Sequence, residues 1–243
     1  MKYLKYYLTE GGYETPSDIE VNVSYIEDID EVRYHENNKF LLSDGLMLFP
    51  NSINDSNRSK VIGYILDNSG EYSGRNIIMS VNASSSVMSW GNSNYLHGTD
   101  IPGLTNYVYD IGSTEPYKDK NGKSNTQIVI DYCNSKSWSL LDASPAFDYV
   151  KSFSPGYKNG EWYLPSAGEM KLFYDNRERF RSDCNTAGIS TNMSLYLSRA
   201  YHFWTSTEYS GGSSWFLNFD LSSPSCWGSK GGSRYIVPFL VID

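Results

Sequence analysis

The side chains that most often hold metals or act as nucleophiles are few and widely spaced in this sequence. The histidines and cysteines are His35, His97, His202, Cys133, Cys184 and Cys226. No two of them form the short spacings, such as CxxC or HExxH, from which zinc sites are built. The sequence therefore predicts no metal site and no cofactor, and it predicts buried free thiols instead of a disulfide framework. Calcium stays open, because backbone carbonyls and scattered acidic side chains bind it without a motif.

Motifs for covalent or phosphate chemistry are also missing. The sequence has no GxSxG elbow, no Walker loop and no GxGxxG, and Gly231-Gly232 lacks the strand–glycine–helix context of a phosphate loop. The carboxylates of Asp28 and Asp30 lie in an acidic leader and indicate a solvated face. The two catalytic carboxylates of a glycosidase can lie far apart in the sequence, so residue spacing neither supports nor excludes such a pair. No catalytic residue is predicted, and the chain is predicted not to be an enzyme.

Residues 209–235 have a composition that is typical of binding instead of catalysis. Of these 27 residues, 8 are Ser, 5 are Gly and 6 are aromatic, and only three are charged. Antibody paratopes have a similar composition, because rigid aromatic rings provide contact area and Ser and Gly provide adaptable hydrogen bonds. The alternative is that Gly211-Gly212 and Gly231-Gly232 are ordinary hairpin turns.

Codon arithmetic selects positions within this segment. If the adenines of the Asn codons AAC and AAT are randomised, the resulting codons never encode Trp, Lys, Glu, Gln or Met. The segment contains no Glu, Gln or Met, which is compatible with such randomisation. Trp215, Trp227 and Lys230 would then be fixed scaffold. The candidate variable and ligand-binding positions are Tyr209, Ser210, Gly211, Ser213, Phe216, Cys226, Ser229, Ser233 and Tyr235. We expect these nine side chains to lie close together on one exposed face.

Strand alternation selects one residue of this set as an anchor. A period of two predicts that Trp215, Leu217 and Phe219 point inward, while Phe216 and Asn218 point outward. An exposed phenylalanine is costly unless it contacts a ligand, so Phe216 is the predicted anchor.

The elements that would position this segment follow the order strands, helices, strands. Short apolar runs at residues 40–42, 46–49, 61–66 and 77–81 predict strands, and strands return after Phe203. Helices are predicted to start at Ser124 or Asn125, at Ser144-Pro145, and at Ser166, where Glu169 completes a capping box. This order predicts an α+β domain over residues 39–243, whose terminal strands pair across the helical middle. The alternating residues 19–25 predict a small β leader over residues 1–38.

Composition and charge exclude several other classes of protein. The net charge of −8 argues against a nucleic-acid binder, and the aromatic content of 15% argues against a disordered chain. No run of about 18 apolar residues is present, so no membrane span is predicted, and the pattern of the first residues predicts no signal peptide.

Several motifs together resemble one known family. They are Trp90-Gly91, residues 98–107, residues 122–126, residues 162–170, residues 203–209 and residues 214–219. The chain from about Val61 onward, roughly three quarters of the sequence, resembles C-type-lectin-like domains of the formylglycine-generating-enzyme-like branch. Similar domains include the variable proteins of diversity-generating retroelements from gut bacteria and their phages. The resemblance implies a C-type-lectin-like fold with a diversified binding surface, displayed on a virion or another extracellular surface.

The sequence departs from the family pattern at three places. Val237-Pro238 stands where an Arg-Pro pair is common, the calcium-lectin motifs Glu-Pro-Asn and Trp-Asn-Asp are missing, and the paired active-site cysteines have no counterpart. Calcium-dependent sugar binding and enzymatic activity are therefore not implied.

Together these observations predict a non-enzymatic receptor-binding protein, of adhesin or phage type, whose partner is a protein or glycan on a cell surface. Two alternatives stay open: a structural virion or cell-surface subunit without its own ligand, and an enzyme of the formylglycine-generating type. The sequence also leaves the oligomeric state open.

Overall fold

The computed structural model describes residues 38–66, 72, 75–193, 201–219 and 225–242. All of them belong to one compact unit, His35–Asp243. The predicted β leader, including the alternating residues 19–25, lies outside the described residues except for residue 38. The domain boundary at residue 38 therefore stays a prediction.

The described elements follow the predicted order of strands, helices and strands. The strands are Phe40–Leu42 (β1), Met47–Leu48 (β2), Val61–Ile65 (β3), Asn76–Ser80 (β4), Met88–Ser89 (β5), His202–Ser210 (β6), Ser213–Asn218 (β7), Ser225–Ser229 (β8), Ser233–Arg234 (β9) and Phe239–Ile242 (β10). The helices are Gly122–Ser135 (α1), Leu140–Ala143 (α2), Pro145–Ser152 (α3) and Ala167–Ala187 (α4). The predicted α+β class is confirmed. Within the described ranges, no helix has the length and apolarity needed to cross a membrane.

The C-terminal strand joins the strands from the first half of the chain. One antiparallel sheet has the order β10-β4-β3-β1-β2, with Leu240 paired to Ile78 and Ile78 paired to Ile65. This pairing across the helical middle was predicted from the order of elements, and the structure confirms it. One face of the sheet packs on α4 through residues such as Tyr64 and Phe180, whose rings meet edge to face.

The local helix signals are confirmed with one difference. Ser166 accepts a hydrogen bond from the backbone of Glu169, and the Glu169 carboxylate accepts one from the backbone of Ser166, so α4 begins with a full capping box. Pro145 stands in the first turn of α3 as predicted, but Ser144 makes no capping bond there. Its hydroxyl donates to the carbonyl of Trp90 instead. Helix α1 begins at Gly122, slightly before the predicted start.

A second sheet, β6-β7-β8, lies between two hydrophobic clusters. Phe203 and Leu217 belong to the cluster that contains the α4 side chains, and Trp204 and Phe216 belong to the cluster that contains α1 and α3. Because both faces of this sheet are covered, neither set of alternating side chains faces open solvent along its middle. This arrangement determines which of the predicted binding residues are accessible to a ligand.

Candidate ligand-binding surface

The structure divides the nine predicted binding residues into three groups. Ser229 and Ser233 are exposed, Phe216 and Cys226 are buried, and the rest are half-buried. The half-buried positions are Tyr209, Ser210, Gly211, Ser213 and Tyr235. The prediction of a single exposed face is therefore wrong, although the ligand-binding role of the accessible positions stays a prediction.

Two of the predicted binding positions belong to the core. Phe216 is 6% exposed and Cys226 is 7% exposed, and the two are cross-strand partners on β7 and β8. The inward prediction for Trp215, Leu217 and Phe219 is correct, since all three are buried. The outward prediction for Phe216 is wrong because the opposite face of the sheet also packs, against Trp204 at a ring-centroid distance of 5.8 Å.

We therefore expect Phe216→Ala to reduce stability instead of leaving it unchanged. Removing a buried phenylalanine ring leaves a cavity, so the free energy of unfolding should fall by about 3–5 kcal/mol, measured by urea denaturation. Ser229→Ala, at an exposed position of the neighbouring strand, is the control and should change it by less than about 0.5 kcal/mol. Equal, small effects of the two substitutions would mean that Phe216 faces solvent after all.

The accessible residues converge at one end of the three-stranded sheet. Ser210 pairs with Ser213 across the β6–β7 turn, and Ser213 pairs with Ser229 of β8. The ring of Tyr209 stacks on Trp227, with 4.5 Å between centroids and 18° between planes. We call the group Tyr209, Ser210, Gly211, Ser213, Trp227 and Ser229 the serine–aromatic surface. Tyr235 is not part of it, because its ring packs on Tyr201 and Phe203.

Trp227 is the functional candidate that the sequence analysis placed in the scaffold. Its side chain is 36% exposed, and it is the cross-strand partner of the fully buried Trp215. A tryptophan held flat against a tyrosine loses little entropy when it binds a ligand, since its position is already fixed. The codon argument excluded Trp227 from the candidate binding positions because randomised Asn codons never encode tryptophan. That argument concerns which positions vary, and not which side chains are exposed.

Two neighbouring loops extend this surface. The Gly98 amide donates to the Gly211 carbonyl at 2.8 Å, and His97 Nε2 lies 3.1 Å from Ser229 Oγ. A second loop is held by the Trp215 indole, which donates to the Tyr107 carbonyl at 2.8 Å, and by the Gly112 amide, which donates to the Ser225 carbonyl. Exposed apolar side chains in this second loop are Val108, Tyr109 and Ile111.

A buried ion pair supports the surface from below. The Lys230 ammonium and the Glu208 carboxylate are both fully shielded from solvent and contact each other. Lys230 Nζ also donates to the Thr99 carbonyl at 2.8 Å and lies 4.7 Å from the centroid of a Trp90 ring. Burial raises the pKa of Glu208 and lowers the pKa of Lys230, while their attraction opposes both shifts. Lys230 is therefore scaffold, as the sequence analysis proposed.

A second buried network is centred on Asp119. Asp119 Oδ2 accepts hydrogen bonds from the Thr207 hydroxyl at 2.7 Å and from the Asn125 amide at 2.8 Å. Thr207 in turn accepts one from the backbone of Ala167 at 2.8 Å. These bonds connect α1, α4 and β6. The network therefore positions elements and contacts no open surface.

Glu169 completes this network at the start of α4. Its carboxylate accepts hydrogen bonds from the Tyr163 hydroxyl and from the Ser166 backbone, each at 2.8 Å. Burial raises the pKa of Glu169 to about 7, and the hydrogen bonds from Ser166 and Tyr163 oppose this shift. A buried carboxyl with a raised pKa is also a candidate acid. Here its oxygens are occupied by the capping box, which indicates a structural role.

The described histidines and cysteines do not form a metal site. Among the described residues, no group of three His, Cys, Asp or Glu side chains is placed to hold a metal ion. The three cysteines are free and buried as the sequence predicted, and burial raises the pKa of Cys133 to about 11 and that of Cys184 to about 12. His35 lies outside the described residues. A thiol with such a pKa is a poor nucleophile at neutral pH.

Comparison with known proteins supports the fold but does not assign a family. No protein-family model and no curated protein matches this chain. Its structure is similar to the crystal structure of a fimbrial protein from Bacteroides ovatus ATCC 8483, with a TM-score of 0.56 and 14% sequence identity. The match covers 84% of this chain and 48% of the fimbrial protein, so this chain spans about half of that protein's length. At this identity, the similarity shows a shared fold alone.

Proposed function

We propose that this chain is a non-enzymatic ligand-binding protein of the adhesin type, with a C-type-lectin-like fold, displayed on a cell surface or virion. The observation that carries the proposal is the exposed Trp227 ring, which stacks on Tyr209 at the sheet end where Ser213 pairs with Ser210 and Ser229. An exposed aromatic group on a rigid, polar-rimmed sheet end is the usual form of a binding hot spot. The fold similarity to a fimbrial protein agrees with a role at a surface.

The receptor is a protein or glycan that binds at the serine–aromatic surface. Tyr209 and Trp227 offer ring faces, while Ser210, Ser213 and Ser229 offer hydroxyls that donate or accept hydrogen bonds. The networks of Glu208 with Lys230 and of Asp119 hold the strands beneath, so binding would order few side chains. Such preorganisation improves affinity because less conformational entropy is lost.

The test is binding of the labelled full-length chain to a panel of bacterial and epithelial cells, measured by flow cytometry. Trp227→Ala should weaken binding at least about tenfold, as expected for a hot-spot aromatic. Leu141→Ala is the matched control, because Leu141 is an exposed apolar residue of α2 outside the surface. Both variants should melt within about 2 °C of the natural chain, since surface substitutions change stability little.

The outcomes separate the proposal from its rivals. If Trp227→Ala binds as well as the natural chain, the ligand site lies elsewhere on the molecule. If no cell in the panel is bound, a structural surface subunit without its own ligand becomes the better interpretation. That second candidate is supported by the same fimbrial similarity.

Diversification of this surface is a separate part of the proposal. With Phe216 and Cys226 in the core, the positions left for variation are the accessible ones, chiefly Tyr209, Ser210 and Ser213. A near-copy of the last hundred or so bases of the gene, differing at adenines and lying beside a reverse transcriptase gene, would support diversification. A flanking sequence without such a copy would contradict it.

A further inference from the structure

Strand β8 forms one edge of the three-stranded sheet, whose order is β6-β7-β8. In an antiparallel pair, the backbone N–H and C=O groups of alternate residues point toward the neighbouring strand and away from it. The Lys230 amide donates to the Gly212 carbonyl across the β7–β8 pair, so the odd-numbered residues of β8 point their backbone groups outward. These residues are Ser225, Trp227 and Ser229.

The outward backbone groups of Trp227 are unpaired. The Ser225 carbonyl accepts a hydrogen bond from the Gly112 amide at 3.0 Å, and the Ser229 carbonyl accepts one from the Gly232 amide at 2.9 Å. Among the residues that the structure describes, none bonds to the amide or the carbonyl of Trp227. An outward N–H and C=O on one residue are the groups through which an extended peptide joins the edge of a sheet. This edge therefore favours a polypeptide as its partner.

The loop of residues 106–113 crosses the sheet and ends at the same edge. It begins beside β6, where the Tyr107 amide donates to the Glu208 carbonyl at 3.0 Å. The Trp215 indole then donates to the Tyr107 carbonyl, so the loop lies on the face of the sheet that carries Trp215. It reaches β8 at Gly112, which bonds to a residue two positions before Trp227. The loop is therefore a neighbour of the unpaired backbone.

Exposed apolar side chains are concentrated in this place. Val108, Tyr109 and Ile111 of the loop are 60%, 43% and 58% exposed, and Trp227 is 36% exposed. These four are half of the eight large apolar side chains that are exposed in the described part of the chain. A group of exposed apolar side chains marks an interaction site more often than scattered ones do.

The charges in and around the loop are negative. Residues 98–115 contain Asp100, Asp110 and Glu115, and they contain no Lys or Arg. Glu115 is paired with Lys118 at 2.8 Å, whereas Asp110 is exposed and flanked in the sequence by two of the exposed apolar residues. Because complementary charges favour association, a partner with a basic side chain among apolar ones would match this surface.

We propose that the edge of β8 at Trp227, together with the 106–113 loop, binds an extended segment of a protein receptor in which apolar side chains flank a lysine or arginine. The inference rests on the proposed function and narrows its receptor from a protein or glycan to a protein. The backbone of the segment pairs with the amide and carbonyl of Trp227, its apolar side chains pack on Val108 and Ile111, and its cation lies near Asp110. Main-chain bonds contribute affinity in this mode, and side-chain contacts contribute specificity.

The experiment selects peptides from a display library of random linear sequences on the immobilised full-length chain, and then measures binding of the enriched peptides by fluorescence anisotropy. We expect the enriched sequences to carry a lysine or arginine among apolar residues. Methylating one alternate set of peptide amide nitrogens should weaken binding at least about tenfold, because it removes the bonds to Trp227. Methylating the other set should have little effect, since those amides point away from β8.

Two variants with matched controls test the loop. Ile111→Ser should weaken peptide binding at least about fivefold, because less apolar surface is buried. Leu141→Ser should leave binding unchanged, and the two side chains are equally exposed, at 58% each. Asp110→Asn should weaken binding about two- to fivefold and reduce its salt dependence. Asp55→Asn removes the same charge at a position that is 96% exposed beside Arg58, and it should leave binding unchanged.

Several outcomes would overturn the inference. They are a selection that enriches no peptide, equal effects of methylating the two sets of amides, and equal binding to Ile111→Ser and Leu141→Ser when melting curves show both to be folded. Self-association of the chain that Ile111→Ser abolishes, measured by analytical ultracentrifugation, would instead assign this surface to a second copy. Cell binding that depends on Trp227, but is neither competed by the peptide nor weakened by Ile111→Ser, would overturn this inference alone and leave the proposed function standing.

Discussion

Gly168→Ala should strongly destabilise the chain, because the added methyl group would collide with backbone atoms. Gly168 lies in the first turn of α4, and its amide donates to the Asp119 carbonyl at 3.0 Å. A Cβ there would overlap the carbonyl oxygens of Asp119 and Tyr117, which are backbone atoms and have little freedom to move. We expect the free energy of unfolding to fall by at least about 3 kcal/mol, although alanine favours helices over glycine by about 1 kcal/mol.

Gly212→Ala is the matched control for this substitution. A Cβ at Gly212 would meet no atom within 4 Å, and Gly212 is not among the glycines with a positive φ. Its effect should stay within about 0.5 kcal/mol. In thermal melts, the loss in Gly168→Ala corresponds to roughly 6–12 °C for a domain of this size. If the two variants had the same melting temperature, the backbone of residues 117–119 would not lie against α4 as it does in the structure.

Lys230→Met should destabilise the chain by about 3–5 kcal/mol at neutral pH, because it leaves the Glu208 carboxylate buried without its counter-charge. The loss should shrink at lower pH. Burial holds the pKa of Glu208 above its usual value, so the folded variant binds a proton that the unfolded chain releases as the pH rises. Stability of the variant should therefore fall as the pH rises through that raised pKa, and urea denaturation at about pH 5 and about pH 8 measures the difference.

A second substitution and an exposed pair provide the controls. Glu208→Gln added to Lys230→Met removes the unpaired charge and should recover part of the loss. Lys118→Met breaks an ion pair with Glu115 in which the lysine is 69% exposed, and it should cost less than about 1 kcal/mol. An effect of Lys230→Met as small as that of Lys118→Met would show that water reaches the Glu208 carboxylate.

The local patterns of the sequence determined the fold class and many of its elements. The capping box of Ser166 and Glu169 predicted the start of α4, because it satisfies backbone groups within a few residues of each other. Alternation along β7 correctly placed Trp215 and Leu217 inside, since side chains of a strand alternate whatever the strand pairs with. The order of strands and helices predicted that the C-terminal strand returns to the first sheet, as β10 does beside β4.

The character of the binding surface was decided only by the tertiary structure. Alternation states which side chains share a face but not whether that face is covered. Phe216, the predicted anchor, is buried in the cluster that also contains side chains of α1 and α3. The tertiary structure also placed Arg234 over the Phe216 and Trp204 rings, and left Trp227 exposed on Tyr209. Such contacts join residues far apart in the chain, and their formation depends on how whole elements pack together. The sequence of a single segment shows the periodicity of that element. It does not show which of the element's faces will be covered by other elements.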